Sequence, residues 1–140
     1  MTHGATLLDT NVLSELMRPS PHPSVVRFVD ELDNPFISAA VFHELTYGMA
    51  LLPDGRRKAR MGGEISAFRA RFETRTVPID ARVAILSGRL RADTKLDGFE
   101  LAPIDALIAA SAISVFARLA TRNVKDFRRL DLEFVDPWTN

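Results

Sequence analysis

The stretch Ala5-Thr6-Leu7-Leu8-Asp9-Thr10-Asn11-Val12-Leu13-Ser14-Glu15-Leu16-Met17 decides the fold. Its opening is a short apolar run that stops at an acid. Val12, Leu13, Leu16 and Met17 then recur at helical spacing until Pro19 ends the pattern. This reads as strand, loop and short helix, with Asp9 at the carboxyl end of the strand.

Downstream the same alternation repeats. Pro19, Pro21 and Pro23 make a stiff turn, Ser24 is the expected N-cap, and Val25, Val26, Phe28, Val29 and Leu32 give a second helix an apolar face. Asn34-Pro35 resets the chain for a strand at Phe36-Ile37-Ser38. A helix over 39–52 follows, carrying His43 and Glu44 beside Val41, Phe42 and Leu45. Residues 56–73 are rich in Arg, and Gly62-Gly63 is expected to break them into two helical pieces.

Thr76-Val77-Pro78-Ile79 reads as a strand, Asp80 as the N-cap of a helix through Leu90, and Asp97-Gly98 as a turn. Pro103 opens a very apolar helix reaching about Ser114. A strand over 116–121, a helical turn over 124–129 and a last strand at Glu133-Phe134-Val135 complete the pattern. Strands alternating with helices predict one α/β domain over 1–140, with a mainly parallel central sheet flanked by helices on both faces.

Composition narrows the chemistry. Eighteen basic and eighteen acidic residues cancel in a chain of 140, so any nucleic-acid contact must be local. The absence of cysteine removes disulfides, thiolate metal sites and thiol nucleophiles, leaving oxygen ligands for any metal. No basic stretch followed by an apolar signal region opens the chain, and no apolar run is long enough to span a membrane, so a cytoplasmic location is expected. His3, His22 and His43 lack metal-ligand spacing, and the glycines match neither a phosphate loop nor a dinucleotide fingerprint.

In an open α/β sheet, chemistry collects outside the carboxyl ends of the strands. Asp9 with Asn11, Glu44, Asp105, and the pair Asn123 and Asp126 all fall at such junctions. Each has a plain structural alternative. Asp9 suits an N-cap, Glu44 suits a solvent-facing flank, and Asp105 suits the start of a helix, where the macrodipole favours a negative charge. Together, converging carboxylates repel unless a cation neutralises them, and magnesium with oxygen ligands is the natural occupant. Such a site suits phosphodiester hydrolysis.

At this point the residues resemble a known family. Leu7 to Leu16, Ile37-Ser38, Glu44-Leu45 with Gly48, Pro103-Ile104-Asp105-Ala106-Leu107-Ile108-Ala109-Ala110, and Thr121-Arg122-Asn123-Val124-Lys125-Asp126-Phe127 follow, in order, the motifs of PIN-domain toxins of the VapC and FitB type. Val135-Asp136-Pro137-Trp138 is similar to the closing strand and Asn-Pro-Trp tail of that family, with Asp136 in place of the usual Asn.

The resemblance implies a PIN-like fold and a magnesium-dependent endoribonuclease, with manganese as a substitute ion. It also implies a homodimer restrained by a VapB/FitA-type antitoxin in a type II pair, in a heterotetramer or hetero-octamer on operator DNA. It matches Asp9, Glu44 and Asp105 to the family's acids and metal ligands. Asn123 stands where many members have an acid, with Asp126 a turn later as a supporting residue or cap.

Thr10, Asn11 and Thr121 fit the work of fixing carboxylate rotamers by hydrogen bonds, or ordinary turn capping. For RNA, Arg122 and Lys125 flank the site motif. Arg56, Arg57, Lys58, Arg60, Arg69 and Arg71 form a basic stretch whose distal members read better as a solvated helix face. Val25, Phe28, Val29, Phe42 and Leu52 would serve either as a groove for the antitoxin or as core. Two rivals stand beside the nuclease: a catalytically inactive module of the same fold that only docks RNA or antitoxin, and a receiver-like phosphotransfer protein with Asp9 as phosphoacceptor.

Overall fold

The computed structural model describes residues 4–139; His3, expected in a tail, lies outside them. Five strands, β1 (Thr6–Leu8), β2 (Phe36–Ser38), β3 (Thr76–Val77), β4 (Arg118–Ala120) and β5 (Phe134–Val135), form one sheet in the order β3-β2-β1-β4-β5. Every pairing is parallel, with Leu8 level with Ile37 on one side and Ala120 on the other.

The connections are helical: α1 (Thr10–Leu16) and α2 (Pro23–Asp30), α3 (Ala40–Ala50) and α4 (Arg56–Arg71), α5 (Ala81–Leu96) and α6 (Pro103–Ser114), then α7 (Val124–Phe127). From β1 the chain steps outward to β2 and β3, then crosses back to β4 and continues to β5. Parallel crossovers are right-handed, so these two directions put helices on opposite faces of the sheet. The successive residues Leu7 and Leu8 are both fully buried, as a strand covered on both faces requires. The chain direction reverses at the β1/β4 pair, and in such sheets the crevice beyond the strand ends at that point is where ligands bind.

Several helix boundaries differ from the sequence reading. Pro23 is the first residue of α2, suited by its fixed φ and missing N–H, and His22 is the cap, its Nδ1 accepting from the Ser24 N–H at 3.2 Å. The Ser24 hydroxyl donates instead to the carbonyl of Pro137 at 2.9 Å, tying the tail to α2. Gly62-Gly63 does not break α4, which runs unbroken for 16 residues. A Cβ on Gly62 would meet Met49 Sδ of α3 at 3.4 Å, an ordinary contact.

The last long strand starts at Arg118 rather than at 116, because Phe116 turns the chain with φ 56° and is 92% exposed. Asp80 caps α5 as expected, accepting from the Val83 N–H at 2.9 Å. Val25, Phe28 and Val29 are buried core, so they offer no groove to a partner.

Two buried hydroxyls fix the helices that matter for the site. Ser38, at the end of β2, accepts from the Ala40 N–H at the start of α3 and from the Ser111 hydroxyl of α6 at 2.8 Å. One serine therefore references both α3 and α6 to the sheet.

Candidate functional site

Asp9 ends β1 and is 3% exposed. Its backbone N–H continues the ladder to the Ala120 carbonyl at 2.9 Å. Its carboxylate takes two donors: Oδ1 accepts from the Thr10 N–H, and Oδ2 accepts from the Thr121 hydroxyl, both at 2.7 Å. Asp9 is thus the cap of α1 and a cleft residue at once.

Glu44, half-buried on the second turn of α3, accepts from the Thr10 hydroxyl at 2.6 Å. Asp105 stands in the first turn of α6, two residues after Pro103. Thr121, fully buried at the end of β4, has a complete set of partners. While donating to Asp9 it accepts from the Asn123 N–H at 3.0 Å and from the Asn11 side-chain amide at 3.4 Å. The Asn11 carbonyl oxygen accepts in turn from the Arg122 N–H at 3.4 Å. Three short polar residues therefore lace the ends of β1 and β4 together beneath the acids.

The acids feel one another. Burial pushes the Asp105 carboxyl up from the ordinary 3.8 to about 6, with further upward pressure from the charges of Asp9, Glu44 and Asp126. Asp9 is also raised: burial outweighs the stabilising bonds from Thr121 and Thr10, and Glu44 and Asp126 add to the rise. Asp126, on α7, thus contributes its charge to the cluster, whereas Asn123 lines the cleft itself.

The cleft above these residues holds about 530 Å³. Asp9, Glu44 and Asp105 line it together with Thr10 and Asn11, and Arg18, Arg57 and Arg122 supply its cations. Lys125, expected to contact RNA, is exposed on α7 and does not line it. Of the basic stretch only Arg57 reaches this cleft. Arg60 lines the neighbouring groove with Met17 and Met61.

The sequence reading passed over Glu15, Arg18 and Trp138 as site residues, and all three line the cleft. Glu15 is an almost fully buried acid. Burial pushes its carboxyl up, but bonds from the His22 N–H, Arg18 and the Trp138 side chain outweigh this and hold it below its usual range. An acid at helical spacing between Val12, Leu16 and Met17 was the available signal, because a charge on that face needs partners.

The donor set suits a hard cation. Among the described residues no three acids or histidines form a ready-made metal cage, so an ion at Asp9, Glu44 and Asp105 would be held partly through retained water, as magnesium commonly is. Carboxylates held above their ordinary pKa by burial and mutual repulsion are those a cation would relieve.

A family model described as PIN domain matches residues 6–133. The chain belongs to the PIN-domain family. Within that family, this PIN domain is 36% identical to Toxin FitB of Neisseria gonorrhoeae over 135 residues, which is 94% of this chain and 97% of the relative. It is 31% identical to VapC ribonuclease Y4jK of Sinorhizobium fredii over 94% and 96% of the two chains. Identity to the tRNA(fMet)-specific endonuclease VapC of Salmonella typhimurium is 30%, over 94% and 96%. Among solved structures, FitAB bound to an IR36 DNA fragment superposes on this PIN domain with a TM-score of 0.86 at 34% identity, covering 95% of each chain. The five-stranded parallel sheet is therefore the PIN-like sheet expected from the motifs.

Proposed function

We propose that this single PIN domain is a magnesium-dependent endoribonuclease and the toxin of a type II toxin-antitoxin pair. The observation that carries the proposal is the charge coupling of Asp9, Glu44 and Asp105 in a cleft that also presents three arginines. An acidic floor beside cationic side chains fits a phosphodiester backbone whose scissile group must approach carboxylates that would otherwise repel it. The relatives named ribonuclease and endonuclease support the same reading.

In this reading Asp9, Asp105 and Glu44 are the metal ligands. When bound, magnesium would polarise a phosphate oxygen and lower the pKa of a water molecule. Thr10 and Thr121 hold the Glu44 and Asp9 carboxylates in fixed rotamers, Asn11 holds Thr121, and Asn123 faces the substrate. Asp126 adds negative charge that strengthens cation binding. Arg57 and Arg122 take phosphates on either side of the reacting one.

The partner is a VapB/FitA-type antitoxin, in keeping with the FitAB complex on DNA. A homodimer assembles with it as a heterotetramer or hetero-octamer. Tyr47 and Leu51, one turn apart on or just beyond α3 and 64% and 68% exposed, are apolar surface available for assembly. No helix among the described residues is long and apolar enough to cross a membrane, and the proposed site of action is the cytoplasm, where RNA and antitoxin both reside.

The test is cleavage of structured RNAs, transfer RNAs included, by antitoxin-free protein with magnesium, with chelator, and with Asp9→Asn. Metal-dependent cutting that the variant lacks is expected. Cutting that persists in Asp9→Asn, or none on any RNA, would favour the inactive docking module.

A further inference from the structure

The geometry points to Trp138 as a stacking platform for a nucleobase of the substrate, held beside the acids by Glu15 and Arg122; this rests on the ribonuclease reading. Trp138 lines the same cleft as Asp9 and Asp105 although it lies next to the end of the described chain. A residue so placed has to be brought there, and the structure shows how. The Asp136 side chain accepts from the Trp138 N–H at 2.9 Å, and Ser24 donates to the Pro137 carbonyl at 2.9 Å. The indole, whose N–H is the only side-chain donor tryptophan has, faces the buried Glu15 carboxylate and helps hold its charged form.

The ring is thus placed by the bonds of its own backbone segment while remaining only half-buried. The Arg122 guanidinium lies 5.0 Å from the ring centroid, within cation–π range. An arginine beside an aromatic face, in a cleft with acids, is what a single-stranded nucleotide needs: a flat surface for the base and a cation for its phosphate. Glu15 and the backbone of the tail then act as positioning groups for the ring, and Asn11, which accepts from the Arg122 N–H, extends the same lacing to the guanidinium's own chain segment.

Trp138 is the chain's one tryptophan, so its emission reports this site alone. A dye-labelled single-stranded oligoribonucleotide is titrated into the full-length protein in chelator, following dye anisotropy for binding and tryptophan emission for contact. The expected result is quenching that saturates in step with anisotropy, and loss of the quench when the base nearest the cleavage position is replaced by an abasic ribose. Trp138→Leu should weaken binding about tenfold, and Trp138→Phe should recover most of it. Emission that stays constant while anisotropy saturates overturns the inference and leaves the ribonuclease reading standing. Absence of any RNA binding, in chelator and with magnesium alike, overturns both. Should Trp138→Leu not fold, the wild-type quench and its abasic control still decide the matter.

Discussion

The Thr121 hydroxyl donates to Asp9 Oδ2 at 2.7 Å, joining the ends of two adjacent parallel strands that are 112 residues apart in the chain. The bond lies at the point where the sheet's connections reverse direction, and it sets the orientation of the most buried acid in the cleft. Thr121→Val keeps the shape and removes the donor. The expected outcome is a fall in RNA cleavage of about 10- to 100-fold and a stability loss of about 1–3 kcal/mol, read by cleavage rate and urea unfolding. Thr121→Ser should restore most of both, and wild-type activity in Thr121→Val would remove the hydroxyl from the site.

Asp9→Asn is expected to abolish metal-dependent cleavage while the protein still folds. The amide keeps one acceptor, enough for the Thr10 N–H, gives up the one that the Thr121 hydroxyl uses, and removes a charge that burial penalises. Circular dichroism and thermal unfolding measure the second half of this outcome. A variant that cannot fold would make Asp9 a structural residue.

The stability of metal-free protein should depend on pH in a stated direction. The Asp105 carboxyl is raised in the folded state to about 6. Between its unfolded and folded pKa the native state binds more protons than the unfolded chain, so stability falls as pH rises through that window. The wild type should therefore gain about 1–2 kcal/mol on going from pH 7.5 to pH 4.5 through this group, and Asp105→Asn should flatten that part of the curve. Magnesium should raise the melting temperature more at pH 7.5 than at pH 4.5, where Asp105 is protonated. A curve identical in wild type and Asp105→Asn would contradict the coupling.

Arg57 lines the cleft, whereas Arg69, on the same helix, is exposed and does not. Arg57→Gln should weaken RNA binding and reduce the slope of log affinity against log salt by about 1. Arg69→Gln should change neither, and anisotropy titrations at several salt concentrations distinguish the two.

Phe116 holds a left-handed backbone conformation, φ 56°, while almost wholly exposed. Glycine adopts that conformation without the Cβ penalty, so Phe116→Gly is expected to stabilise the fold by about 1 kcal/mol with cleavage unchanged. Thermal unfolding checks it, and destabilisation would show that the ring has a packing role.

Asp9 was legible because it sits where β1 gives way to α1, and local patterning marks such a junction. Glu44, a turn into α3, and Asp105, in the first turn of a helix that follows another helix, do not sit at strand ends, and their place beside Asp9 came from the motif resemblance. The parallel sheet was legible for a related reason: β1 reads as a continuous apolar run, which suits a strand buried on both faces. Gly62-Gly63 misled because helix propensity is a weak local preference, which the tertiary packing of the 16-residue α4 overrides. Phe116 misled because its apolar side chain suggests a strand and nothing in the sequence announces its φ. Ser24 looked like a cap, but its hydroxyl is engaged by the tail more than a hundred positions away. Trp138 escaped for the same reason: its place in the cleft depends on contacts with α1 and α2 that no window of sequence contains.

The cleft draws Asp9 and Glu44 from the first third of the chain, Asp105 from much later, and Thr121, Arg122 and Trp138 from the end. A ribosome still translating this message has therefore exposed two of the acids before β4 and the tail exist. Until residues 118–138 emerge and dock, Asp9 lacks its Thr121 donor and Arg122 and Trp138 are missing from the cleft.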